Sequence, residues 1–146
     1  MFVCHGNICR SPMAEFVFKQ LVREAGMADN FIINSTATSR EEIGNGVHYG
    51  TRRVLARHGV PAHDHRAVQI TAADCDSYDY IIIMDRRNRA NLQPFIGGNG
   101  GKVATLLSFA GIDGDIADPW YTGDFDRTYE DVLRGCRGLL SYFTKK

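Results

Sequence analysis

The chain has 146 residues, 44% of them apolar and 23% charged, with 17 basic and 17 acidic side chains. That length predicts one domain, residues 1–146, around one core. The zero net charge excludes a broad electrostatic footprint for nucleic acid or an acidic membrane surface. No apolar run approaches the roughly 20 residues of a membrane span, and Met1-Phe2-Val3 leads straight into a strand without a signal peptide. A strand starting at residue 1 is abrupt, which suggests native residues missing before it. The cysteines at 4, 9, 75 and 136 read as reduced thiols of a cytoplasmic protein rather than a disulfide framework. Cys4 and Cys9 are spaced too widely for a CxxC metal clip and no second pair follows, so no metal is expected.

In chain order, Met1 to Cys4 reads as a first strand. Residues 12–26 read as a helix with Phe16, Val17 and Leu21 near one face and Gly26 near its end. Residues 31–37 are apolar and β-branched enough for a second strand. The stretch 47–58 has helical character, stopped by Gly59-Val60-Pro61. Thr71 caps a short helix with Asp74 in capping-box position. Tyr80 to Met84 is the clearest buried strand, and Asp85 caps the helix after it. The glycine-rich segment 97–101 is read as a loop and Lys102 to Leu106 as a fourth strand. The last helix is placed at residues 126–143, with Val132, Leu133, Cys136, Leu139, Leu140 and Phe143 on one stripe. Alternating strands and helices predict an α/β fold with a parallel sheet covered on both faces, in which ligands bind beyond the carboxyl ends of the strands. Cys4 sits at such an end.

The chemistry concentrates in Cys4-His5-Gly6-Asn7-Ile8-Cys9-Arg10-Ser11. A phosphoryl group presents negative charge on its non-bridging oxygens, and a loop of consecutive backbone N–H groups can wrap it. The helix that follows adds the positive end of its dipole, with Ser11 near its cap and Pro12 tolerated in its first turn. Gly6 permits close approach of the backbone, and Asn7 is suited to a left-handed turn. Arg10 supplies a planar fork for two oxygens. Helix N-termini and neighbouring cations favour the thiolate of a cysteine, the nucleophilic form. Cys4 is therefore read as a nucleophile toward phosphorus, and Ser11 as a donor to its sulfur when it leaves. Cys9 lies close enough in the loop for a reversible Cys4–Cys9 disulfide. It reads equally well as a small packing residue.

The run Val3 to Pro12 resembles the signature loop of the low-molecular-weight protein tyrosine phosphatases, and later landmarks fall in the same order along the whole chain. The resemblance implies a three-layer, doubly wound, flavodoxin-like α/β fold, in which a four-stranded parallel sheet is flanked by helices (the phosphotyrosine phosphatase I type). It also implies a phosphocysteine intermediate without metal or cofactor, phosphotyrosyl proteins or aryl phosphates as substrates, and inhibition by phosphate, sulfate and vanadate. Asp118-Pro119-Trp120-Tyr121 matches the family's general acid, with Trp120 and Tyr121 as a surface for a flat ring. Most members carry tyrosine where Trp120 stands, a departure that touches specificity rather than the acid. Thr38 to Gly44 resembles the variable wall of the pocket. Glu41 lies near a position that is aromatic in some relatives, so that wall is expected to stack less well on a ring. Ser35 and His65 resemble the pair that holds the asparagine of the loop, and His63 and His58 are rivals to His65.

Two other readings compete. An arsenate reductase on the same fold needs further cysteines, yet Tyr80 to Met84 ends without one, Cys75 comes too early and Cys136 lies on the buried stripe of the last helix. A non-catalytic phosphate-ester binding module would be marked by loss of Cys4 or Asp118, and both are present. No G-x-x-x-x-G-K-[ST] nucleotide loop occurs.

Overall fold

The computed structural model describes residues 1–145. Four strands, β1 (Phe2–Cys4), β2 (Ser35–Ala37), β3 (Ile81–Ile83) and β4 (Val103–Thr105), form a parallel sheet in the order β2-β1-β3-β4. In register, Cys4 lies opposite Ala37 on one side of β1, and Val3 lies opposite Ile83 on the other.

The alternation of side chains along a strand divides the core in two. Phe2, Cys4, Ile82 and Met84 face α1 (Arg10–Glu24) and α7 (Phe125–Thr144), packing against Met13, Phe16, Val17, Val132, Cys136 and Leu139. Val3, Ile81 and Ile83 face the other way. They meet Cys75 of α3 (Ala72–Ser77), Leu92, which ends α4 (Arg86–Asn91), and Ile96 of α5 (Gln93–Ile96). β1, β2 and β3 are fully buried while the edge strand β4 is half-buried, and the burial of both faces is why β3 is unbroken isoleucine. The helix α2 (Tyr49–Arg57) completes the α1 and α7 layer through Val54 and Leu55. Among the described residues, no helix is long and apolar enough to cross a membrane.

The capping boxes at Thr71 with Asp74 and at Asp85 with Asn88 start α3 and α4. Several boundaries move. β2 covers only the end of the apolar run 31–37. Residues Ala28–Asn30 form a 3₁₀ turn, and Phe31 and Ile33 pack against the core while Ile32 is exposed, so alternating burial there occurs without a ladder. The segment read as a glycine loop winds as a 3₁₀ turn, Gly97–Lys102. The short helix α6 (Pro119–Thr122) and the 3₁₀ turn Leu106–Ala110 carry no strong periodic signal.

That last turn lies directly on α7. A Cβ at Gly138 would collide with the backbone of Phe109 and Ala110, and one at Gly135 would meet Leu106 Cγ at 2.5 Å. Alanine is the better helix former, but here it overpacks rigid backbone. Gly138→Ala should therefore destabilise the fold by about 1–3 kcal/mol, measured by denaturant unfolding; a neutral or stabilising result would show that the turn can yield.

Candidate active site

Residues 5–9 bend the chain from the end of β1 into α1. Three carbonyls of this loop are held by hydrogen bonds outside it. His5 O accepts from Ser39 N–H at 3.1 Å and Ser39 Oγ at 2.8 Å, Ile8 O from His48 N–H at 2.9 Å, and Cys9 O from Met13 N–H at 3.2 Å and Thr51 Oγ1 at 3.3 Å. The N–H groups of Gly6, Ile8 and Cys9 donate to no acceptor among the described residues. A loop with its carbonyls engaged outward and its amides unspent is an anion-binding concavity.

Asn7 sets the curl. It is the one non-glycine residue with positive φ, 60°, among those described. Its Nδ2 donates to Ser11 Oγ at 2.8 Å and Ser35 Oγ at 3.0 Å, and its Oδ1 accepts from His65 Nε2 at 2.9 Å and Val68 N–H at 3.2 Å. Because Oδ1 takes the Val68 amide, His65 must be the donor in their contact. The Asn7 backbone N–H donates to Cys4 Sγ at 3.2 Å, and Ser11 Oγ lies 3.1 Å from the same sulfur. Ser11 is not the helix cap. The cap position belongs to Cys9, which makes no side-chain capping bond, and Ser11 sits inside the first turn with its hydroxyl turned to sulfur.

Arg10 is 2% exposed. Its Nη1 donates to Asp85 Oδ2 at 2.6 Å and Ile116 O at 2.9 Å, and Nη2 to Asp118 Oδ2 at 3.3 Å. Nε is buried without a hydrogen-bond partner, a donor available to an oxyanion. Asp118 caps α6 through Oδ1, which accepts from Trp120 N–H at 3.0 Å. Pro119 at the first helical position fixes that turn.

Cys4, His5, Gly6, Ile8, Cys9, Arg10, Glu41, Asp118, Trp120 and Tyr121 all line one cavity of about 60 Å³. Asn7, Ser11, Ser35 and His65 lie around the loop rather than in the cavity lining. Trp120 and Tyr121 are exposed at the mouth, and the Trp120 ring meets His48 edge-to-face at 5.8 Å. The opposite lip is acidic. Glu41 pairs with His5 at 2.7 Å, Glu42 also lines the cavity, and Arg40 does not. Among the described residues, no cluster of His, Cys, Asp or Glu side chains could hold a metal ion.

A family profile described as low molecular weight phosphotyrosine protein phosphatase matches residues 1–146. The chain belongs to that family. It is 37% identical to the low molecular weight protein-tyrosine-phosphatase YfkJ of Bacillus subtilis, covering 100% of this chain and 96% of the relative. The crystal structure of YfkJ superposes with a TM-score of 0.94, covering 99% and 92% of the two chains. The low molecular weight protein tyrosine phosphatase SP-PTP of Streptococcus pyogenes is 41% identical, with a TM-score of 0.89 over 99% and 92%.

In this phosphatase, three supporting residues escape a reading of the sequence. Glu15 is buried in α1, where its Oε1 accepts from Ser35 Oγ at 2.6 Å and its Oε2 from Lys19 Nζ at 2.5 Å. His63 Nε2 lies 3.1 Å from Oε2. Asp85 is readable as a helix cap, but its other oxygen orients Arg10. Glu42 lies against the loop, its Cγ 3.3 Å from where a Cβ at Gly6 would sit. Only the i,i+4 spacing of Glu15 and Lys19 and the capping pattern of Asp85 left a trace in the sequence.

Burial lowers the His65 pKa below its ordinary 6.5, with Glu15 opposing and His63 and Lys19 adding to the shift. A folded-state value below the unfolded one means that the unfolded chain binds more protons as pH drops through the unfolded pKa, so stability is lost on the acid side and is intact above it. Unfolding midpoints should fall as pH drops below about 6.5, and the decline should be shallower in His65→Gln; equal acid slopes would contradict a neutral His65. Burial, together with the negative charges of Cys4 and Asp118, pushes the Cys9 thiol up to about 12, against Arg10 and Thr51. Iodoacetamide at neutral pH should therefore modify Cys4 and spare Cys9, as mapped by peptide mass spectrometry; comparable labelling of Cys9 would refute the division of roles.

Proposed function

We propose that this chain acts as one domain that hydrolyses phosphotyrosine in proteins, and small aryl phosphates, through a phosphocysteine intermediate. The reading rests on Cys4 and Arg10 of one loop and Asp118, 108 positions beyond Arg10, lining one cavity beside amides that have no other acceptor. The phosphoryl oxygens take the free N–H groups of the loop and Arg10 Nε, in a water-poor site where preorganised donors act most strongly. Cys4 Sγ attacks phosphorus opposite the ester oxygen. The S–P bond forms as the P–O bond breaks, and the leaving oxygen takes its proton from Asp118. In the second step water attacks phosphorus, Asp118 takes its proton, and the Cys4 thiolate leaves with a hydrogen bond from Ser11. Trp120 and Tyr121 flank the ring of the substrate.

The same amides and arginine suit phosphate, sulfate and vanadate as inhibitors. The four cysteines are all unpaired, which supports a reducing, cytoplasmic setting. The zero net charge of the chain gives no support for a nucleic-acid or membrane partner.

Rapid quenching with a ³²P-labelled phosphotyrosyl peptide should trap label on Cys4, and Asp118→Asn should slow turnover of substrates with poor leaving groups by about 10²–10⁴-fold. Absence of a labelled enzyme, or an unchanged rate in the variant, would overturn the nucleophile or the acid respectively.

A further inference from the structure

A second groove, of about 350 Å³, opens beside the catalytic cavity and shares His5, Arg10, Asp118 and Tyr121 with it. Its far wall is α4, which contributes Arg87, Asn88 and Asn91. Nothing in the chemical step uses that wall.

Each carboxylate oxygen of the two aspartates in this groove already accepts a hydrogen bond. Asp85 Oδ1 takes Asn88 N–H at 2.8 Å and Oδ2 takes Arg10 at 2.6 Å, while Asp118 Oδ1 takes Trp120 N–H at 3.0 Å and Oδ2 takes Arg10 at 3.3 Å. The donors are not all engaged. Asn88 is 1% exposed, and its Oδ1 accepts from the Met84 and Asp85 N–H groups at 2.9 and 3.1 Å, which fixes the orientation of the amide. Its Nδ2 has no acceptor among the described residues and is not one of the fully buried atoms, so it is free to donate to a group in the groove. Arg87 is exposed and joins no ion pair among the described residues, whereas its neighbour Arg86 lies 3.8 Å from Asp115. Glu41 and Glu42 line the catalytic cavity but not this groove.

The geometry points to a second recognition site in this groove, one that takes an anionic side chain flanking the phosphotyrosine in the substrate chain. The anion, a carboxylate or a second phosphoryl group, accepts from Arg87 and from Asn88 Nδ2. The carboxylates of Asp85 and Asp118 do not repel it strongly, because the Arg10 guanidinium lies between them and neutralises part of their charge. Because Glu41 and Glu42 line the catalytic cavity and not the groove, the acidic flank of a peptide lies over α4 and a basic flank near the two glutamates. This site rests on the phosphotyrosine reading above and gives it a direction along the peptide.

The test is kcat/KM for phosphotyrosyl peptides in which glutamine, glutamate or a second phosphotyrosine is placed at each flanking position in turn. Glutamate should exceed glutamine by about 3- to 10-fold on one side of the phosphotyrosine only. Arg87→Gln should abolish the preference and Arg87→Glu should transfer it to lysine. A gain with phosphotyrosine at the same position assigns the groove to phosphoryl groups as well, and a gain with glutamate alone restricts it to carboxylates. Equal rates for all peptides, or a preference that survives Arg87→Glu, overturn the groove and leave the phosphotyrosine reading standing. A fall on p-nitrophenyl phosphate as large as that on the acidic peptides would place the effect of Arg87 in the catalytic cavity and overturn the inference too. A wild-type enzyme that cleaves the aryl phosphate but no phosphotyrosyl peptide contradicts the phosphotyrosine reading, and this one with it.

Discussion

Asn7 holds the phosphate loop in a conformation that its own backbone disfavours. A left-handed residue other than glycine costs about 1–2 kcal/mol, less for asparagine, and it persists only where the surroundings over-determine it. Here the side chain spends both amide hydrogens and both lone pairs of its oxygen, on Ser11, Ser35, His65 and the Val68 amide. Three of those partners lie 28, 58 and 61 positions along the chain. The anion cup therefore cannot form from the local sequence. It assembles when β2 docks beside β1 and the 65–68 segment docks against β2 and the Asn7 side chain, so the site forms only with the completion of the fold.

The same docking settles the charges. A guanidinium as deeply buried as that of Arg10 is tolerable only with partners, and it has them in Asp85 from the end of β3 and Asp118 from the start of α6. Both segments reach it because β1 and β3 are neighbours, with β2 and β4 extending the sheet in opposite directions. That is the switch point at which an open α/β sheet leaves a crevice beyond its strands. Asp85 holds Arg10 at the shorter distance, 2.6 Å against 3.3 Å for Asp118. The longer bond belongs to the residue proposed to exchange a proton, and a loosely held carboxylate is easier to release for that work.

How much of this could be read from the chain follows from what each feature depends on. The loop from Cys4 to Ser11 was legible because its logic is local: a strand end, glycine and asparagine in the bend, and proline in the first turn. β3 and α7 were legible because their apolar patterns are long or unbroken. Ser11 was legible as part of that loop: it lies near the start of α1, and its hydroxyl reaches the sulfur seven residues earlier. The run 31–37 carried strand propensity over its whole length, but only its end lies beside β1, so the ladder covers Ser35–Ala37 and the rest is held by side-chain burial. Glu15 looks in the sequence like a polar residue on a helix surface. Its burial is dictated by Ser35 and His63, which no spacing within α1 reveals.

The division between rigid chemistry and variable recognition follows the same line. Residues proposed to hold the phosphate are tied into β1, α1 and the sheet neighbours, so their positions cannot be adjusted one at a time. Glu41, Trp120 and Tyr121 stand in short, solvated segments at the rim, with Glu42 half-buried beside them. A side chain can change there without disturbing Asn7 or Arg10. Arg87 belongs to that outer set by exposure, while Asn88 behind it belongs to the inner one, since its Oδ1 pins the turn that carries Asp85. The groove beside α4 thus joins a fixed donor to a replaceable charge, so substrate preference can shift there while the catalytic geometry stays in place.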